Sequence, residues 1–101
     1  MHKMRFSIKQ TDYQKNAMLN ICDADLLGKK IIEKELEVHI SKSYYGEKIV
    51  EKEEAKTLLK NSSIINMVGK ETISLSTSLG IGSEKGVKEI DGVPFLIVFK
   101  M

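Results

Sequence analysis

Apolar and polar positions alternate from the start of the chain. In "MRFSIK", Met4, Phe6 and Ile8 interleave with Arg5, Ser7 and Lys9, which predicts a half-buried strand with the first set turned to a core. The polar "QTDYQKN" reads as a loop. "AMLNIC", residues 17–22, reads as a second strand, paired with the first in an antiparallel hairpin. In "DADLLGKK", Asp23 suits a helix N-cap and Gly28 the position after a C-terminus, so one helical turn carrying Leu26 and Leu27 is predicted. "LEVHI" alternates again and gives a third strand, with Leu36, Val38 and Ile40 inward. Tyr44, Tyr45 and Gly46 follow its end. Neighbours along a strand point to opposite faces, so one tyrosine anchors the core and the other is exposed.

From Glu51 the period changes. Ala55, Leu58 and Leu59 share a helical face, with glutamates in the first turn and Lys56 and Lys60 later, as the helix dipole favours. Beyond Asn61, Ser62 or Ser63 can cap a second helix, in which Ile65, Val68, Thr72, Leu75 and Leu79 recur at spacings of three and four up to Gly80. Gly69 inside it would cost about 1 kcal/mol against alanine, and so marks a kink or a close crossing. "GIGSEKG" is a loop. "VKEI", "DG" and "VPFLIVFK" read as a strand, a two-residue turn and a long last strand, apolar on both faces and hence interior and covered on both sides. Pro94 near the start of that strand is tolerable. The predicted order is β-β-β-α-α-β-β: a single α+β domain over residues 1–101, with a mixed or mostly antiparallel sheet and a pair of helices packed on one face.

Composition narrows the chemistry more than it identifies it. The 101 residues include one cysteine, two histidines and sixteen basic residues, and the net charge is +2. No apolar run is long enough for a membrane span, and no export signal is evident at the start, so a cytoplasmic protein without membrane partners is expected. Arg5 is the one arginine, which leaves no material for a site of arginine forks. Lysine and glutamate enrichment fits a thermophile or archaeal proteome. His2, His39 and Cys22 have no ligand spacing, and Asp23 and Asp25 are not followed by a calcium loop, so no metal or other cofactor is implied. Cys22 with His39 is the one conceivable nucleophile–base pair, set against the usual burial of a strand cysteine. The glycines of "GIGSEKG" follow a helix and precede a strand, the reverse of a phosphate loop. An enzyme is not expected.

The electrostatic candidate is the outward face of the first strand. Lys3, Arg5 and Lys9 project there, and Lys15, Lys29 and Lys30 come from connections. Lysines can track phosphates while Tyr13, Tyr44 or Tyr45 stacks on bases. The competing reading is a solvated face whose edge lysines discourage aggregation.

The ordered stretches "ICDADLLGK", "YYGEKIV", "IINMVGKE", "SLGI" and "DGVPFLIVFKM" resemble the family catalogued as domain of unknown function 424 (DUF424), over nearly the whole chain. The matching positions include Asp23, Gly28, Lys29, Tyr45, Gly46, Asn66, Gly69 and Pro94. Phe95 stands where the family tends to have a polar residue. The resemblance implies a stand-alone cytosolic α+β protein of archaeal origin, associated with translation and suspected of binding RNA. Asn66 is a polar residue amid Ile64, Ile65, Met67 and Val68, and it joins Lys29 and Tyr45 as the constellation to test. The expected function is non-enzymatic binding of transfer or ribosomal RNA, or of translation proteins, through Lys3, Arg5, Lys9, Lys29, Lys30, Tyr45 and Asn66. A protein-interaction module without nucleic acid is the alternative.

Overall fold

A computed structural model describes residues 4–100. Lys3, one of the expected cations, lies outside the described residues, as does the side chain of Tyr13. The first hairpin is longer than the alternation suggested. Strand β1 runs Arg5–Tyr13 and β2 Asn16–Asp23, antiparallel, and the expected loop is mostly strand. The turn is Gln14-Lys15, both at positive φ. This is a geometry usually signalled by Asn-Gly, so the sequence hid it.

A single 3₁₀ turn at Ala24–Leu26 follows. Strands β3 (Lys30–Glu33) and β4 (Leu36–His39) then form a separate two-stranded hairpin. The expected third strand is thus real, but it stands outside the main sheet beside a partner that was not foreseen. Helix α1 (Lys42–Tyr45) is a single turn capped by Ser41, whose Oγ accepts from the N–H of Tyr44. The tyrosine pair therefore sits on a helix rather than at a strand end. Gly46 closes that turn at its closest point: a Cβ there would meet Lys42 Cα at 2.8 Å.

Strand β5 (Lys48–Glu51) pairs with β1 and leads into helix α2 (Lys52–Asn61). The helix buries Ala55 and Leu59, as its pattern required. It ends with its carbonyls satisfied: Ser62 Oγ donates to Leu58 O, and Lys100 Nζ donates to Leu59 O and Lys60 O at 2.6 and 3.0 Å. A cation at a helix C-terminus also complements the dipole.

The largest correction lies between residues 62 and 79. In place of one long helix, Ile64–Val68 is strand β6 and only Lys70–Ser78 is helix α3. Strand β6 is central. Ile65 and Met67 are buried on one face and Val68 on the other, and a strand covered on both faces has no period that separates it from helix. Strands β7 (Lys88–Ile90) and β8 (Val93–Phe99) form the expected hairpin, with Asp91 and Gly92 at positive φ.

The main sheet has the order β5-β1-β2-β6-β8-β7, with β2 and β6 parallel and the other neighbours antiparallel. The architecture is α+β with a mixed sheet, as expected. The element order is β-β-β-β-α-β-α-β-α-β-β, not β-β-β-α-α-β-β. Phe6, Ile8, Leu19, Ile21, Val50, Ile65, Met67 and Leu96 form one sheet face and pack with Ala55 and Leu59 of α2 and Ile73 and Leu75 of α3. Apart from Ala55, each such side chain contributes about 1.5–3 kcal/mol of burial.

The start of α3 shows how the two layers lock. Its N-cap position is Gly69, which has no side chain to offer. Asp23, at the end of β2, supplies the missing oxygens: Oδ1 accepts from Thr72 N (2.8 Å) and Thr72 Oγ1 (2.7 Å), and Oδ2 from Glu71 N (3.2 Å). Asp23 was expected to cap the turn that follows it directly. It makes no side-chain bond there and caps a helix 48 residues away instead.

Candidate functional site

The sheet face away from α2 and α3 is only half covered. Over the end holding Cys22 and Val68, the β3–β4 hairpin and α1 lay down Ile31, Ile40, Val38 and Tyr45, with Leu26, Leu27, Ile90, Val93 and Phe95 around them. The other half is open. Strand register sets two rows of side chains on it. Lys9, Asn20, Asn66 and Ile97 are successive cross-strand partners, and Thr11, Met18, Ile64 and Phe99 form the next row. Ile97 is 59% exposed and Phe99 66%, while Met18, Ile64 and Asn66 are partly exposed. The last strand is therefore flanked on both sides only over Val93–Phe95, where β7 pairs with it, and is uncovered at its far end, which corrects the expectation of an interior strand covered on both sides.

Helix α1 borders this open half, and three side chains of β1 and β2 hold it there. Lys9 Nζ donates to Ser43 O (2.7 Å), Asn20 Nδ2 to Tyr44 O (3.0 Å) and Ser7 Oγ to Tyr45 O (2.5 Å). Three successive carbonyls of one turn are each bound from the sheet below. The 65%-exposed ring of Tyr44 is thereby held by a fixed backbone at the border of the face.

Asn20 also connects that border to the middle of the sheet. Its Oδ1 accepts from Asn66 Nδ2 at 2.8 Å. Because Asn20 must donate to Tyr44 O, its amide orientation is set, and that setting orients Asn66 in turn. Among the described hydrogen bonds none reaches Asn66 Oδ1. Replacing Asn20 with leucine should cost about 1–3 kcal/mol, because Tyr44 O and Asn66 Nδ2 both lose their partner. Urea unfolding measures this, and a loss under about 0.5 kcal/mol would mean that the relay carries no load.

The expected site residues divide. Lys9 and Asn66 come together in one row. Arg5 is exposed at the start of β1, opposite Glu51 in register, and Lys29 and Lys30 are exposed at the base of the β3–β4 hairpin, with Lys30 opposite His39. These three do not line the open rows; they stand at the margins of that side of the molecule. One tyrosine is exposed and one anchored, as expected, but the anchored one is Tyr45, the ring proposed for stacking. Burial, and then the Cys22 sulfur beside it, push its phenol above the usual range. Sequence reasoning named Tyr44 as a possible stacking ring but settled on Tyr45, and it passed over Asn20, Ile97 and Phe99. A signal was present: "LNIC" and "INMV" each carry one asparagine in an apolar strand, and the parallel register sets these two side by side.

Cys22 is fully buried and His39 is exposed on a strand of the separate hairpin, so the conceivable nucleophile–base pair is not formed. Burial, followed by Asp23 and Asp25, pushes the Cys22 thiol up to about 12. It should therefore resist alkylation at pH 8 in the folded protein and react fully in denaturant. The same shift makes stability fall as pH rises from about 9, where the unfolded thiol ionises, towards 12; a pH-independent stability across that window would contradict it. Among the described residues no three His, Cys, Asp or Glu side chains converge as a metal site needs, and no helix is long and apolar enough to cross a membrane. An open groove of about 510 Å³ beside α3 is lined by Met4, Lys52, Lys70, Glu71, Ser74, Leu75 and Ser78.

Comparison with known proteins places this geometry among relatives. The family described as "Protein of unknown function (DUF424)" matches residues 11–101. Among solved structures, an uncharacterized conserved protein from Methanopyrus kandleri is similar, with a TM-score of 0.78 and 25% identity over 96% of this chain and 94% of that one. No curated protein matches the chain.

Proposed function

The chain belongs to the DUF424 family, and from that premise and the geometry of its open sheet face we propose that it is a non-enzymatic module binding single-stranded RNA in the cytoplasm, as an accessory of translation or RNA metabolism. The observation that carries this reading is the set of groups on the uncovered half-sheet and at its border. Two exposed rings, Phe99 and Tyr44, accompany an oriented amide, Asn66, with Lys9 in the same row. Every base has a face that stacks on an aromatic ring, and an amide serves the base edge. Phosphate contacts fall to the marginal cations Arg5, Lys29, Lys30 and Lys42, all exposed.

Lys9 has a different part from the one its sequence position suggested. With Nζ on Ser43 O it braces α1 first and offers its remaining donors to a ligand second. A few cations around an apolar floor imply a modest electrostatic contribution. For a single strand the slope of log affinity against log salt is about −0.7 per neutralised phosphate, so three or four contacts give roughly −2 to −3.

The test is binding of single-stranded oligoribonucleotides and transfer RNA across a salt series, with duplex DNA as control. Micromolar or tighter binding to single strands, weakening with that slope, supports the reading. Absence of binding, or equal binding to duplex DNA, overturns it and leaves a protein partner for the apolar rows.

A further inference from the structure

The free edges of the main sheet differ, and one of them is unguarded. We propose that the outer edge of β8 beyond Phe95 pairs antiparallel with the same edge of a second copy of this chain. Two hydrogen bonds at the ends of the β6–β8 ladder fix the direction of the main-chain groups. Gly69 N donates to Pro94 O (2.9 Å) and Lys100 N to Ser63 O (2.8 Å). Both continue the register that sets Met67 opposite Leu96 and Ile65 opposite Val98. Hydrogen-bonded and non-bonded pairs alternate along an antiparallel ladder, so Leu96, Val98 and Lys100 face β6 with their main chain. Ile97 and Phe99 turn theirs the other way. Strand β7 occupies that side only along Val93–Phe95. Among the described residues, nothing pairs with the main-chain groups of Ile97 and Phe99.

Elsewhere the edges carry the features that keep strands of different molecules apart. Strand β5 is four residues long and bears Lys48 and Glu51, and β7 is three residues long and bears Lys88 and Glu89. Where β1 runs past β5, the Gln10 N–H already donates to Glu47 Oε1 (3.3 Å), and Asp12 follows it. The stretch Leu96–Phe99 has neither charge nor proline. The lysine that follows it is turned away, because Lys100 Nζ is bound to the last carbonyls of α2. An apolar edge without guards is a template for another strand.

This edge complements itself. A two-fold axis beside Val98, perpendicular to the sheet, sets Ile97 opposite the partner's Phe99 and Phe99 opposite the partner's Ile97. That register pairs both outward-facing residues and stays within residues 96–100 of each chain, so it clears β7 on both. It also makes two aromatic–β-branched cross-strand pairs, a combination that stabilises antiparallel sheets. Ile97 and Phe99 are 59% and 66% exposed, so both side chains have surface to bury against each other. The axis keeps the open face of each chain on the same side, and the two open half-sheets join. The pairing goes beyond the RNA reading and does not depend on it. A contact along one short strand edge falls below the roughly 1,000 Å² of a stable complex, so the dimer is weak, with a dissociation constant of roughly 0.1–1 mM.

Sedimentation equilibrium from about 10 µM to about 2 mM brackets that range. The weight-average mass of the wild-type protein should rise with concentration towards twice that of the monomer. Ile97→Pro should stay monomeric with an unchanged circular dichroism spectrum, because the N–H it removes faces away from β6. Where proline unfolds the strand, Ile97→Lys keeps the ladder and sets two like charges on a diagonal about 7–8 Å apart. It should weaken association by about tenfold, and by less at high salt. Amide hydrogen exchange locates the contact. The N–H groups of Ile97 and Phe99 should exchange freely in dilute protein and slow as the dimer forms, while those of Leu96 and Val98 are protected throughout. A wild-type protein that remains monomeric at about 2 mM would overturn the proposal and leave the edge to an extended segment of another protein. Association that survives both substitutions, or that leaves exchange at Ile97 and Phe99 unchanged, would place the interface elsewhere and overturn it as well.

Discussion

Gly69→Ala is expected to destabilise the protein by about 3 kcal/mol or more, a large share of the roughly 5–15 kcal/mol that holds a domain folded. Two independent effects add. Gly69 has φ +110, a conformation that costs an L-residue about 1–3 kcal/mol. A Cβ at this position would also lie no more than 2.6 Å from Cγ, Oδ1 and Oδ2 of Asp23. The carboxylate would have to leave the α3 N-terminus, losing a cap worth about 1–2 kcal/mol. The two residues are therefore one device: a helix whose cap position has no side chain receives its cap from the adjacent parallel strand, and the glycine makes room for it. This predicts non-additivity. Asp23→Ala alone should cost about 2 kcal/mol, and in that background Gly69→Ala should cost clearly less than it does alone, because only the backbone strain remains. Urea unfolding of the four proteins measures the coupling. Additive costs, or a Gly69→Ala protein within about 1 kcal/mol of wild type, would show that the cap does not tie α3 to β2.

The second large effect concerns binding. Phe99→Ala and Tyr44→Ala should each weaken single-stranded RNA binding by about 1–3 kcal/mol, roughly fivefold to 150-fold, if each ring carries one stacked base. Both rings are mostly exposed, so neither truncation should cost more than about 1 kcal/mol in folding stability. Arg5→Gln serves as the contrast. It removes one marginal charge, and it should shift the salt slope by at most one phosphate contact and leave the stacking energy alone. If Phe99→Ala binds as wild type while Arg5→Gln abolishes binding, the ligand lies on charge at the margin rather than on the open rows.

How much of this was legible in the sequence depended on whether a strand had one covered face or two. Strand β1 alternates cleanly through Lys9 because one face meets the core and the other meets solvent or α1, and that part was read as strand, while Gln10–Tyr13 was read as loop. Strand β6 is covered on both faces around Met67 and Val68, and its apolar run merged with α3 into one apparent helix. Strands β3 and β5, "KIIE" and "KIVE", are four residues each and too short to show any period. The Asp91-Gly92 turn was found from its residue types, while Gln14-Lys15 adopts positive φ with ordinary ones.

The site was legible in part for related reasons. Asn66 stood out because an amide amid Ile64, Ile65, Met67 and Val68 must point outward or find a partner. That the partner was Asn20 depended on the parallel pairing of β2 with β6, which the helical reading of Ile64–Val68 had removed. Phe99 was assigned to the core because apolar residues on both faces of a strand imply cover, and the cover stops at Phe95. Tyr45 was chosen over Tyr44 without the short helix that decides between them. The cations were identified as surface groups, but where they sit around the open rows is a property of the hairpin and α1.

The central claim is that the uncovered half-sheet is where the ligand sits, and mapping backbone amide shifts by NMR during titration with a short single-stranded RNA tests it most directly. The predicted result is a contiguous set of perturbed amides running from Tyr44 through Met18, Asn20, Ile64, Asn66, Ile97 and Phe99, with α2 and α3 unmoved. Perturbations gathered instead on the helical face or around the groove at Lys70, or none at saturating RNA, would contradict it.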